Sequence, residues 1–360
     1  MKILSHLFTI ITVVFLTLCI GCSLHQSDNN YAIPHTKSIA PNHTMVVFVH
    51  GTVLPVPHLY AFGSSLHESL EHGRRLKKSW YQLYLDRLKN TSIYRYQPSG
   101  PDGLHPVKDQ PSAKLAAEIY QGLACSSAYS FYSFGWNGQL SNEKRVQAAN
   151  ELYQQLNTEA AKLKKVHGTV NIIVICHSHG GNVALNLARA EQQFKQNLMI
   201  DKLVLLGTPI QSETAAYVSS TCFEKVYNFY SHGDCIQKID IVSTEDDLSA
   251  RTFQPAPNLI QVELTCGKLK PGHIELWLFK GKNNIFFRRA LSLAPFPLAV
   301  FLPIILQELD TTFPHAPQVK LDIEKTALQR CFKFSHETQH SVYAIEEKLL
   351  KPYETRIAAL

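Results

Sequence analysis

Val170-Asn171-Ile172-Ile173-Val174-Ile175-Cys176-His177-Ser178-His179-Gly180-Gly181 decides the fold. Residues 170–175 form a β-branched run broken only by Asn171. An apolar run without alternation suits a strand buried on both faces of a parallel sheet. Gly180-Gly181 then opens a helical segment whose Val183, Leu187 and Ala190 share a stripe. A tight strand-to-helix turn would carry Ser178 at its apex and project the hydroxyl beyond the sheet edge. Strand and helix crowd at such a turn, so small residues are needed two before and two after the serine. Gly180 meets the second need. Cys176 stands at the first, where glycine is usual, and is small enough to fit.

Similar runs lie on both sides of this stretch. Met45 to Val49 ends at His50-Gly51, Ile93 to Tyr96 is a weaker strand, and Tyr129 to Phe134 is aromatic-rich. Lys202 to Leu206, Val226 to Tyr230 and Leu259 to Leu264 follow. Between strands, Val146, Ala149, Leu152, Leu156, Ala160 and Leu163 recur at helical steps after Ser141, with Gly168 past the end. Leu70 to Leu88 reads as another helix. The alternation predicts an α/β fold with a mostly parallel central sheet, helices on both faces and right-handed crossovers.

A serine hydroxyl is a weak nucleophile that needs a base, and the base needs an orienting acid. Ser231-His232-Gly233-Asp234 follows one predicted strand, and Pro271-Gly272-His273 follows the next. Both sit at the carboxyl edge, which makes Asp234 the acid and His273 the base. Asp240 and Asp246 are spare acids. His232 reads as a loop neighbour, and His315, His336 and His340 as surface residues beyond the predicted sheet. Backbone N–H groups placed for a developing oxyanion contribute a few kcal/mol, on the order of 3. The expected donors are His179, at a helix amino terminus, and Thr52, in the loop after the Met45–Val49 strand.

Together these segments resemble the α/β-hydrolase superfamily, nearest its lipase and esterase branch. The residues responsible are His50-Gly51-Thr52, His177-Ser178-His179-Gly180-Gly181, Leu205-Leu206-Gly207-Thr208-Pro209, Ser231-His232-Gly233-Asp234 and Gly272-His273. The likeness spans roughly residues 45–280. It implies a Ser-Asp-His esterase in which Ser178 is acylated and His273 activates water, acting on ester or lipid-like small molecules. No metal or organic cofactor is implied. A rival reading is a non-catalytic binding lipoprotein that keeps the α/β-hydrolase fold. A metal site of His177, His179 and Asp234 is disfavoured, because side chains flanking an apex serine point apart.

Met1-Lys2, the apolar run Ile3 to Ile20 and Gly21-Cys22 resemble a bacterial lipoprotein signal, with Cys22 as the lipidated residue. Cys19 departs from the pattern, where leucine is usual, and an uncleaved anchor helix is the alternative. Either puts the body outside the cytoplasm at a membrane surface. The expected organisation is a signal peptide at 1–21, a polar tether at 22–44, a hydrolase domain at 45–280 with a helical insertion at 53–125, and a C-terminal extension at 281–360 packed on the domain. The insertion reads as a lid or acyl-pocket wall, or else as a packed surface segment. Trp136, at a strand end, is a possible pocket residue. Ala290 to Leu306 is uncharged but holds three prolines. It is expected as a buried strand-and-turn segment, with lipid contact as the alternative.

Composition agrees with an ordered enzyme-sized body. The 360 residues are 45% hydrophobic, 10% aromatic and 18% charged, too apolar for disorder. The net charge is +6, and the densest basic runs are Arg74 to Lys78 and Lys162 to Lys165, so nucleic-acid binding is not expected. Cys222, Cys235 and Cys266 fall in one region without a paired C-x-x-C, which leaves disulfides and buried thiols both open.

Overall fold

A computed structural model describes residues 43–51, 103–106, 117–119, 121–122, 128–138, 141–234, 236–238, 249–273, 276 and 298–359. The expectations for 1–42, Thr52, Leu70–Leu88, Ile93–Tyr96, Asp240 and Asp246 lie outside these residues.

The strands are β1 (His43–Val49), β2 (Gly103–Pro106), β3 (Tyr129–Gly135), β4 (Val170–His177), β5 (Ile200–Leu206), β6 (Phe223–Tyr230), β7 (Leu259–Thr265), β8 (Gln318–Lys325), β9 (Gln329–His336) and β10 (Gln339–Glu346). They form one sheet in the order β10-β9-β8-β7-β6-β5-β4-β1-β3-β2. All neighbours from β3 to β8 pair in parallel. Antiparallel β2, β9 and β10 finish the two ends. β1 lies between β3 and β4, so the chain runs outward from β1 to β3 and then crosses back over β1 to β4. Open α/β sheets bind ligands beyond the carboxyl ends of the strands at such a reversal, here β1 and β4. The chain has an α/β-hydrolase fold.

Each apolar run serves two cores at once. On β1, Met45, Val47 and Val49 face one core, and Val46 and Phe48 the other. On β5, Leu203 and Leu205 alternate with Val204 and Leu206 in the same way. Double burial explains why these strands lack polar alternation. Helices α1 (Asn142–His167), α2 (His179–Leu185) and α3 (Leu187–Phe194) cover one face. At the start of α1, the Ser141 hydroxyl accepts from Lys144 N–H at 3.4 Å. At its end, Gly168, with φ 80°, donates to the Lys164 carbonyl.

The other face is covered by α4 (Leu298–Thr312), whose Leu298, Val300, Phe301, Leu302, Ile305 and Leu309 are fully buried. The described part of the uncharged segment, 298–306, is therefore largely buried, but as a helix and not as the expected strand and turn. Pro295 and Pro297 precede the helix, and only Pro303 falls inside it. One interior proline removes one backbone hydrogen bond, a loss that burial of so many large side chains outweighs. Among the described residues no helix is long and apolar enough to cross a membrane.

The sheet also continues past the last strand expected from sequence. β8 joins β7 in parallel and carries β9 and β10. His336 and His340 thus lie on sheet strands, not beyond the sheet. The final helix, α5 (Glu347–Ala359), is tied to β9 by the buried Arg330, whose Nε lies 3.1 Å from Glu347 Oε1. The Arg330 guanidinium also stands 5.1 Å from the Phe301 ring centroid, which links α5, β9 and α4. Cys176, Cys222 and Cys331 are buried thiols.

Candidate active site

β4 and α2 meet at Ser178, whose φ of 53° and ψ of −132° lie outside the regions a side chain normally adopts. Such a conformation costs roughly 1–3 kcal/mol and persists only where the surroundings enforce it. Here the Ser178 N–H donates to the Leu206 carbonyl of β5 at 3.0 Å, and the Gly181 N–H donates to the Ser178 carbonyl at 2.9 Å. A Cβ on Gly180 would lie 2.5 Å from the His50 carbonyl oxygen, so glycine lets α2 start against the end of β1. Cys176 is wholly buried on the helix-covered side, and burial pushes its thiol well up, which keeps it protonated. The thiol fits where the elbow pattern has glycine.

β6 delivers Asp234, which is fully buried, and the loop after β7 delivers His273. His273 Nδ1 is 2.7 Å from Asp234 Oδ2. A carboxylate only accepts, so Nδ1 carries the proton and a neutral ring leaves Nε2 as a base. The other carboxylate oxygen, Oδ1, accepts from the Gln237 N–H at 3.2 Å. Arg251 donates through Nε and Nη2 to the Asp234 carbonyl, at 3.0 and 2.7 Å. Gly207, with φ 63°, makes room for the pair. A Cβ there would stand 3.0 Å from Asp234 Oδ2 and 3.4 Å from His273 Nδ1.

The loop carrying His273 reaches the elbow through His177, whose Nε2 lies 2.9 Å from the His273 carbonyl oxygen. The two imidazole centroids are 4.7 Å apart. Burial, then the neighbouring His273, His50 and His179 rings, push His177 well below 6.5, so it is neutral near pH 7. Ser178, Asp234, His273 and His179 therefore gather at one carboxyl edge of the sheet. Among the described residues Ser178 Oγ forms no hydrogen bond, so no direct bond joins it to the imidazole of His273. Thr52, the other expected oxyanion donor, is outside the described residues.

Trp136, whose place at a strand end suits either a pocket residue or a core aromatic, packs in the core. It is 4% exposed in the core, and its indole N–H donates to the His50 carbonyl at 2.8 Å. It thereby pins the end of β1 beside the elbow. His232 is half exposed and lies 3.6 Å from Glu263, away from any role as base. Among the described residues no group of three or more His, Cys, Asp or Glu is placed to hold a metal ion. Arg251, Gln237 and the side chain of His177 were not legible as site residues. Of these only His177 carried a signal, its place next to Ser178.

No protein-family model and no curated protein matches the chain. Among solved structures, it is similar to a predicted CIB-like hydrolase from Thermoplasma acidophilum at 12% identity, with a TM-score of 0.26 over 66% of this chain and 79% of that one. It is also similar to a structure from work on LipS and LipT, two metagenome-derived lipolytic enzymes, at 9% identity and a TM-score of 0.22, over 64% and 74% of the two chains. These likenesses are slight, and the fold stands on its own strand order and elbow.

Proposed function

We propose that this chain is a serine hydrolase of carboxylic esters, with Ser178 as nucleophile, His273 as general base and Asp234 as the orienting acid. The reading is carried by the 2.7 Å contact between Asp234 and His273 beside a serine in an enforced, side-chain-unfavourable conformation. In the first step His273 Nε2 takes the Ser178 proton as Oγ attacks the ester carbonyl. Asp234 stabilises the imidazolium that forms; the proposed donors to the developing oxyanion are the N–H of His179 and, from its sequence position alone, that of Thr52. The imidazolium then protonates the leaving alcohol. Water, activated by the same imidazole, later releases the acid from Ser178. The serine-to-imidazole bond that this step needs is one that forms or tightens in the Michaelis complex.

Lipid-type acyl esters are the proposed substrates, and Cys22 the proposed site of lipid attachment for an exported, membrane-held protein. The sequence Ile3 to Cys22 supports the anchor. Purified protein assayed on p-nitrophenyl esters of graded chain length tests the activity. The expected result is turnover that rises with acyl length and is lost in Ser178→Ala. A folded protein with no turnover on any ester would point instead to a binding lipoprotein.

A further inference from the structure

We propose that His177, the residue before the nucleophile, is a positioning residue that fixes the imidazole of His273 from behind; the inference rests on the function proposed above. His273 sits on a loop leaving β7, and among the described residues its ring makes one hydrogen bond, Nδ1 to Asp234 Oδ2, at 2.7 Å. One bond leaves the ring free to swing about that axis and carry Nε2 off line from Ser178. A second fixed point on the same residue removes this freedom. His177 provides it, because its Nε2 is 2.9 Å from the His273 main-chain oxygen.

The chemistry of that contact is determined. A carbonyl oxygen only accepts, so His177 must carry its proton on Nε2. His177 is buried, 8% exposed, at the last position of β4, which the sheet holds between β1 and β5. The donor is therefore rigid, and it moves with the elbow that presents Ser178. A single strand end thus sets both the nucleophile and, through the neighbouring side chain, the base. Because His177 stays neutral, it adds no positive charge beside the imidazolium that His273 becomes during attack. A lysine or a charged histidine in the same place would oppose that step.

Two substitutions separate positioning from packing. His177→Phe keeps a ring of similar size and removes the donor, whereas His177→Gln restores an N–H at comparable reach. In the full chain, His177→Phe is expected to lower kcat about ten- to hundredfold with KM within about twofold, the scale of a misplaced catalytic group. His177→Gln is expected to recover most of the loss. The low-field Nδ1 proton of His273, assigned by its disappearance in His273→Gln, should be sharp in wild type and in His177→Gln, and exchange-broadened in His177→Phe. If His177→Phe does not fold, His177→Met fills the space without a donor and takes its place. Wild-type kcat and a sharp proton in the donor-less variant would overturn the proposal, as would equal impairment of the Phe and Gln variants. If the wild type hydrolyses no ester, the functional reading fails, and the proton spectrum still decides whether His177 holds His273.

Discussion

Ser178 stands where glycine would be more comfortable, and the elbow imposes that cost for the sake of where the hydroxyl points. Ser178→Gly should therefore raise stability by about 1 kcal/mol in denaturant titration while abolishing esterase turnover. Gly207 shows the opposite constraint, since any side chain there enters the space of Asp234 and His273. Gly207→Ala should cost roughly 1–3 kcal/mol of stability and reduce kcat at least about tenfold, from strain at positive φ and a displaced dyad. At this scale Ser178 and Gly180 were legible because both belong to one local turn with a known steric demand. Asp234 and His273 were legible as loop residues after strands. The contacts of His177 and Arg251 were not, because each runs to a main-chain oxygen of a residue remote in sequence, 96 positions away for His177 and 17 for Arg251.

Elements transmit these placements. Arg251 lies between the strands that precede Asp234 and His273, and two of its hydrogen bonds hold the Asp234 carbonyl. Arg251→Met keeps the aliphatic stem and loses both, so kcat should fall several-fold, about five to twenty, with KM little changed. Helix α4 is the other critical element. Phe301→Ala would open a cavity under β9 and remove the ring against Arg330, and should cost about 3–5 kcal/mol in a denaturant titration. The α1 helix was legible from end to end, because its apolar stripe, serine cap and closing glycine agree. α4 was misread because three prolines were counted against a helix that contains only one of them. β8 was passed over although Val319, Leu321 and Ile323 alternate with polar residues in Gln318–Lys325, the period of a half-solvated strand.

The described body is a sheet covered on both faces, and its stability should fall in two acid steps. His177 is held neutral below the ordinary 6.5, so the unfolded chain binds a proton there that the folded chain refuses. Stability is then full above pH 6.5 and falls as pH drops below it, by up to about 1.4 kcal/mol per pH unit until the folded group titrates. Asp310 adds a lower step. Burial alone would raise it, but hydrogen bonds from Lys202, Lys225 and Tyr227 outweigh burial and hold it below the ordinary 3.8. Its contribution is present above that value and is lost as pH falls through the folded value, which loosens α4 from β5 and β6. Denaturant midpoints taken from pH 8 to pH 3 check both steps, and His177→Gln should flatten the upper one.

The most direct measurement is reaction of the folded chain with a fluorophosphonate, followed by mass mapping of the adduct. A single adduct on Ser178, formed markedly more slowly in His273→Gln and Asp234→Asn, is the expected result. A folded protein that stays unmodified, or one labelled at another residue, would contradict the assignment of Ser178 as a nucleophile activated by His273.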